Sequence, residues 1–517
     1  MAAGSIVREG RMAPALLTAV IALAAAVILW IATPWGIGLT PDSIDYINAA
    51  RALLAGSGLG AMSHFPPLYP VTIASVARLG LEPAEAARWL QVLLFAVNIL
   101  LVGVLAHRVS GGAGWWACLA ALLMAASPTI AGVHASALSE PLFLALALTA
   151  LIALGAYVRE PRPGSLLIAS AATAAAMLTR YAGIALVPVT VTAVLCLGRA
   201  EWRRRLLDAA ALAVIAITPI GMWLLRNSLS GGAVGSRTLA FHPIGAQHVE
   251  ESLSVMSLWL FPRDVPPVLR CMLLGLLLGV ALATARHRAP FAFKGSIDRL
   301  RAAPSIAILL LFALAYATLL VVSISLVDFY TPLDSRILSP LYPVALVLGL
   351  EVIRRLLPTA RQSLPWRRAM VTVLLLLAAL QVVRGAELFV LSYRDGLGFA
   401  RRTWKESPLL ARIRALPPQT IIFSNAPDVI TLLTGRGASS LPSTFDPTTG
   451  KANPRFVAQR QRLRADLKAT RGVLVYFRRI HRPYVPSETH LRQKLHLRLV
   501  RENPQGAIYK AGPAPKR

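Results

Sequence analysis

Runs of apolar residues too long for a soluble core constrain this chain more than any other feature. A membrane-spanning helix needs about 20 predominantly apolar residues. Eleven segments approach or meet that length: 12–32, 86–107, 114–131, 141–158, 164–179, 182–198, 206–226, 267–285, 303–327, 337–353 and 369–390. Of 517 residues, 56% are hydrophobic and only 15% charged, against roughly 45–50% apolar in soluble domains. No soluble interior takes up eleven such segments, so the expected class is a polytopic α-helical membrane protein. The first segment exceeds the apolar core of a signal peptide and reads as a retained helix. Cys118, Cys196 and Cys271 lie far apart in apolar segments, without the spacing of a metal site or disulfide framework.

The net charge of +29 matters through its location. With residues 1–11 inside, the loops that carry Arg108, Arg159, Arg162 and the arginines of 199–205, 286–301 and 354–368 all fall inside. The short loops on the other side are poor in Lys and Arg, which is the positive-inside pattern. Counting the apolar stretch 67–80 as a span would place Arg108 outside, so it reads as an interfacial or re-entrant piece. Three outer regions follow: 33–85, 227–265 and a tail from 392. The tail holds 24 Lys/Arg against 7 Asp/Glu, and a domain this long crosses largely regardless of charge. Its pattern predicts a small α/β domain. Strands are expected at 420–424 and 472–477, a helix capped by Asp428 and ended at Gly435, and a hairpin within 495–509. The expected division is a transmembrane module over 1–391 and an extracytoplasmic domain over 392–517.

Ionisable residues gather on the same outer side. In the first loop, Thr40 suits an N-cap, Pro41 the first helical position and Gly56 the stop. Ile47, Ala50 and Leu54 form an apolar stripe, while Asp42, Asp45 and Tyr46 share another face. Two readings of Asp42 fit this spacing: it serves the helix terminus, or it does chemistry. Glu140 lies between two spans with His134 nearby, Arg180 and Tyr181 form a hairpin, and Arg226 and Asn227 end a span. Asp328, Asp334 and Arg336 share a short loop. The centres of the spans are nearly free of charge. Ionisable groups near a membrane are costly unless they serve one another or a site, so converging opposite charges predict a cavity at this face. Snorkelling helix ends are the plainer alternative.

The order of these motifs resembles the GT-C glycosyltransferases, in the branch of the protein O-mannosyltransferases and bacterial aminoarabinose transferases. Asp42-Ser-x-x-Tyr46 and Pro66-Pro-Leu-Tyr-Pro70 resemble their first outer loop. Ser139-Glu-Pro-Leu-Phe143, Leu178-Thr-Arg-Tyr181, Arg226–Asn227 and Arg336-x-x-x-Pro340-x-x-Pro343 look like later landmarks, and Asn425-x-Pro427, Gly435–Arg436 and Leu441–Pro442 resemble the tail of bacterial members. The resemblance implies a GT-C-like fold and a polyprenyl-phosphate-linked sugar donor. It implies a catalytic base at Asp42 and a second acid at Glu140, with Asp45, Tyr46, Arg180, Tyr181, Arg226, Asn227 and Arg336 binding substrate. A lysine that helps bind donor phosphate in the aminoarabinose transferases, near Pro66, is absent here. Arg180, Arg226 or Arg336 would then take its place.

The residues agree with that chemistry. No P-loop and no Asp-x-Asp of the nucleotide-sugar type occurs, and nucleotide sugars are made inside whereas this site faces out. A lipid-linked donor resolves the conflict. Its phosphate leaving group calls for arginine or a metal, and a divalent metal at the outer carboxylates is one possibility. The acceptor, a lipid, glycan or protein, brings a hydroxyl whose proton needs a carboxylate. The membrane is the expected setting, and nucleic acid is not an expected partner. A transporter or flippase of a lipid-linked substrate is the alternative. It predicts mid-membrane charge and matching halves with broken helices, and neither is present in the sequence.

Overall fold

The computed structural model describes residues 2–59, 65–230, 241–288, 300–327, 331–357, 364–446 and 449–512. Asp328 falls outside them. Fifteen described helices make up the chain as far as Asp395. They are α1 (Ala2–Ile31), α2 (Pro41–Leu54), α3 (Leu68–Ala77), α4 (Pro83–Val109), α5 (Gly114–Ala126), α6 (Pro128–His134), α7 (Glu140–Arg159) and α8 (Pro163–Thr179). There follow α9 (Leu186–Leu197), α10 (Trp202–Leu229), α11 (Ala246–Ser257), α12 (Pro267–Arg288), α13 (Pro304–Leu326), α14 (Leu341–Leu356) and α15 (Leu364–Asp395).

Among the described residues, six helices are long and apolar enough to cross a membrane: α1, α4, α7, α10, α13 and α15. All eleven expected segments fall on helices, yet 114–131, 164–179, 182–198, 267–285 and 337–353 do not meet that length and composition as single helices. The segment 114–131 is the bent pair α5 and α6, meeting at 62°, a seventh crossing if the pair is one span. Pro128 cannot donate to the ladder of α5, and Ser127 Oγ accepts from Ile130 N to start a new helix. The stretch 67–80 holds the ten-residue helix α3, short of a crossing. Leu29, Phe95, Ile99, Met124, Phe143 and Phe312 anchor the main core. A second core joins α2 and α3 to α4 through Ile47, Tyr69 and Ile73.

After Asp395 come α16 (Arg402–Lys405), α17 (Pro408–Arg414), β1 (Ile422–Ser424), α18 (Pro427–Thr434), β2 (Ser439–Ser440), α19 (Phe456–Ala469), β3 (Val473–Phe477), α20 (Glu488–Leu495), β4 (Leu497–Asn503) and β5 (Gly506–Ala511). The strands form one sheet in the order β2-β1-β3-β5-β4. β1 pairs in parallel with β2 and β3, while β5 runs antiparallel to β3 and β4. Alternation along β3 feeds both faces: Val473, Val475 and Phe477 enter one core and Leu474 the other. Asp428 does not cap α18, whose N-cap is Ala426; it lies inside the helix and pairs with Arg482 at 2.6 Å. Gly435 ends that helix in the left-handed region, as expected.

A short backbone ladder ties the domain to the helices. Gly38 N donates to Ala135 O at 2.8 Å, Ala137 N to Gly38 O at 2.8 Å, and Phe399 N to Leu39 O at 2.9 Å. Gly398, at φ +54°, passes so close that a Cβ there would sit 2.1 Å from Leu39 O. Three segments, leading into α2, α7 and the sheet domain, therefore meet at one end of the bundle.

Candidate active site

Helix α2 begins as its sequence dictates. Thr40 Oγ1 accepts from Ser43 N, Ser43 Oγ accepts from Thr40 N, and Pro41 occupies the first turn. The cap is thus Thr40 and Ser43, which leaves the Asp42 carboxylate for other work. It accepts from Arg336 Nη2.

Arg336 lies in the turn that precedes α14, nearly 300 residues downstream. Its Nε donates to Glu140 Oε1 at 2.5 Å. Glu140 opens α7, where the helix N-terminus favours an acid, and it is buried, with 2% of its side chain exposed. The same oxygen meets Arg180 Nη1 at 2.8 Å. Arg180 comes from the break between α8 and the short 3-10 turn Tyr181–Ala185. Its Nη1 also donates to Ser139 Oγ at 2.9 Å, and Ser139 Oγ lies 3.2 Å from Tyr46 Oη. Two carboxylates and two guanidiniums from four elements thereby form one network. Burial opposes charge on Arg336, but the Glu140 and Asp42 carboxylates outweigh it and raise its pKa. Burial pushes the Tyr46 phenol up to about 12, so it stays protonated at neutral pH.

The network is not closed. Glu140 Oε2 is buried and has no hydrogen-bond partner. Arg336 uses Nε and Nη2, and a guanidinium still has N–H groups on Nη1. A carboxylate oxygen and guanidinium N–H groups therefore stand ready for a ligand with both hydroxyl and phosphate character. A divalent metal does not fit this donor set. The carboxylates are already engaged by guanidinium, and no group of three His, Cys, Asp or Glu among the described residues could hold an ion.

The structure joins Asp42, Glu140, Arg180, Arg336 and, through Ser139, Tyr46. Asp45 is exposed on α2, and Tyr46 is buried in the second core rather than sharing a polar face with it. Leu54, expected in the apolar stripe, is 40% exposed. Tyr181 is exposed at the start of its turn. Arg226 stacks on Trp223, 5.0 Å from the ring centroid, and donates to Asn227 Oδ1 at 3.2 Å. His134 is fully buried against Asn98 and Ile130 O, a packing role. Tyr316 was not legible in sequence: it sits in an apolar run, donates to Ile337 O at 2.9 Å and packs beside the Arg336 turn.

The segment 64–223 matches the model of the dolichyl-phosphate-mannose-protein mannosyltransferase family. It includes Glu140 and Arg180 but neither Asp42 nor Arg336. No curated protein sequence matches the chain. Among solved structures, ArnT from Cupriavidus metallidurans bound to undecaprenyl phosphate is similar at TM-score 0.57 and 15% identity, covering 96% of this chain and 98% of that one. The Archaeoglobus fulgidus oligosaccharyltransferase, tethered with an acceptor peptide, is similar at TM-score 0.53 and 12% identity, covering 90% and 69%. The arabinofuranosyltransferase AftD from Mycobacteria is similar at TM-score 0.50 and 14% identity, covering 96% of this chain and 40% of that one.

Proposed function

We infer that this chain, whose fold is that of the GT-C glycosyltransferases, moves a sugar from a polyprenyl-phosphate donor to a lipid, glycan or protein acceptor at the outer face of the cytoplasmic membrane. The observation that carries this reading is the Arg336 guanidinium held between Asp42 and Glu140. One carboxylate is positioned for an acceptor hydroxyl beside guanidinium groups suited to a departing phosphate. The similar ArnT structure, which holds undecaprenyl phosphate, supports a lipid-phosphate donor.

In the proposed reaction the acceptor oxygen attacks the anomeric carbon while its proton passes to Asp42. The bond from that carbon to the phosphate oxygen breaks, and its electron pair leaves with the lipid phosphate. Arg336, with Arg180, stabilises the charge that develops there. Glu140 fixes both guanidiniums through one oxygen. Attack opposite the phosphate inverts the anomeric centre. Arg226, Asn227 and Tyr181 would line the route of the donor, and Asp45 and Tyr46 the start of α2. The topology that goes with this reading keeps the N-terminus inside, takes all eleven apolar segments of the module over 1–391 across, and leaves the domain over 392–517 outside, on the same face as the site.

Two measurements test it. Membranes holding the chain should transfer sugar from polyprenyl-phosphate sugars to endogenous acceptors, and a lack of transfer from any of these donors would end the proposal. A reporter fused after Arg517 should be active only outside the cytoplasm. Activity inside would turn the site away from its donor.

A further inference from the structure

One face of the sheet domain, far along the chain from the Asp42 network, carries a line of cations without acids. Both faces of the sheet are covered: Trp404, Leu409 and Ile413 pack on one, and Leu463, Leu467, Leu491 and Leu495 on the other. The first side joins the bundle, where Lys405 Nζ donates to Trp35 O at 2.7 Å. On the second side, each of α19 and α20 commits leucines at i and i+4 to the core. Beside them on α19, Arg460, Arg464 and Lys468 recur every four residues. They form one stripe about 12 Å long, at 1.5 Å per residue. His490 and Lys494 make a second stripe of the same spacing on α20. The two stripes meet. Arg460 Nη1 donates to His490 Nε2 at 3.3 Å, and Phe456 lies against both, 5.4 Å from the Arg460 guanidinium and 6.4 Å from the His490 ring.

Like charges at i and i+4 destabilise a helix, and α19 carries two such pairs in succession. The ion pairs of the sheet domain are Arg402–Glu406, Arg478 with Glu488 and Glu502, and Arg482–Asp428, and among the described residues none reaches this stripe. Asp466, the one acid of α19, is two residues from both Arg464 and Lys468 and so lies off the stripe. Glu488, the one acid of α20, is taken by Arg478 and Tyr509. Arg464 Nε is buried and has no hydrogen-bond partner. An anion laid along the stripe would offset the repulsion and accept that N–H. A small ion meets one cation, whereas a row of three continued by Lys494 fits a chain of repeating negative charge. A bilayer fits less well. A helix that lies on a membrane turns an apolar face to it, yet the leucines of α19 and α20 face the sheet, and Val457 is their one large exposed apolar side chain.

We propose that α19 and α20 form a docking surface for an anionic glycan, a polysaccharide that bears acidic groups along its length. Arg460, Arg464 and Lys468 track the polymer, and Lys494 extends the contact. Binding of this kind is electrostatic and weakens as salt screens it. It does not rest on the transferase reading. The choice of a glycan among polyanions follows from the placement of the domain outside the membrane, which the reporter after Arg517 checks by itself.

The test uses the full chain in nanodiscs of zwitterionic lipid and three probes: fluorescein-labelled dextran sulfate, labelled neutral dextran of the same length, and phosphatidylglycerol vesicles. Binding to the dextrans is read from fluorescence anisotropy and binding to the vesicles from flotation. The parent should bind dextran sulfate, more weakly as salt rises, and leave neutral dextran free. The triple variant Arg460→Gln, Arg464→Gln, Lys468→Gln should bind it at least ~10-fold more weakly, a modest share of three charge-assisted contacts. A control triple, Arg498→Gln, Arg501→Gln, Lys510→Gln, removes the same charge from exposed positions of β4 and β5 and should change binding far less. Lys468→Glu alone reverses one exposed charge and keeps the test open if the first triple fails to fold. It too should weaken binding, and parental affinity in it overturns the proposal. So does dextran sulfate binding no better than neutral dextran, or an equal loss of affinity in both triples. Vesicles bound through the same stripe at least as well as dextran sulfate would also overturn it, since the occupant is then a membrane.

Discussion

Arg336 and Arg478 are each an arginine bridging two acids, and the contrast between them separates a site from a brace. Arg478 donates through Nε to Glu488 at 2.6 Å and through Nη2 to Glu502 at 2.6 Å. Glu488 also accepts from Tyr509 Oη at 2.6 Å. The partners lie within a few tens of residues on one surface of the sheet domain, and Glu502 is 48% exposed. Water completes whatever the protein leaves unmet. Around Arg336 the acids come from the starts of α2 and α7, Glu140 is 2% exposed, and one of its oxygens has no partner. Similar side chains give a satisfied surface brace in one place and an unfinished buried network in the other. Unmet valence under burial, rather than the presence of charge, marks the place for a ligand.

That comparison breaks first at Asp42. Asp42→Asn keeps shape and cannot accept the proton, and general-base contributions are typically about 10²–10⁴-fold. The variant should melt like the parent, since Thr40 and Ser43 form the cap, yet lose at least ~10²-fold in transfer. Asp45→Asn, exposed on the same helix, should lose far less. A near-parental rate in Asp42→Asn would pass the role of base to Glu140.

Arg336→Ala comes next. Donor use should fall by at least ~10-fold, in line with about 1.5–3 kcal/mol for a charge-assisted hydrogen bond. Arg336→Lys should restore little, because an ammonium cannot span Asp42 and Glu140 in the guanidinium's fork. Unchanged donor affinity in the alanine variant would move phosphate recognition to Arg180 or Arg226.

The brace should behave differently. Arg478→Ala should leave transfer unchanged and lower stability by no more than ~1 kcal/mol, the usual range for exposed pairs. Chemical denaturation alongside the transfer assay checks both halves, and a lost activity would erase the distinction drawn here. The smallest effect concerns Glu488. Burial alone would raise its pKa, but hydrogen bonds from Arg478 and Tyr509 outweigh that and hold it below the ordinary glutamate value. A depressed folded pKa stabilises above the unfolded value of about 4.3 and ceases to do so as pH falls through the folded pKa. Glu488→Gln should therefore melt below the parent at neutral pH, with the gap closing on acidification below about pH 4. A gap independent of pH would show that the loss is one of packing.

The sequence by itself determined the membrane class, the helical positions, the start of α2 at Thr40 and Pro41, and the small sheet domain with its hairpin. These follow from local patterns: apolar run length, period, caps and turn residues act over a few neighbours. It also placed Asp42, Glu140, Arg180 and Arg336 near the same end of the bundle, because short loops between antiparallel helices alternate sides. The tertiary structure decided which of them meet. Tyr46 was expected beside Asp45 on a polar face, yet it is buried because α3 and α4 cover that side of α2. Asp428, expected as a cap, is drawn into a pair with Arg482. Length alone predicted continuous crossings, whereas Pro128 splits one at 62°. The Arg336 bridge depends on contacts between segments far apart in the chain. No local pattern carries such contacts, because the free energy that fixes them comes from burying one element against another.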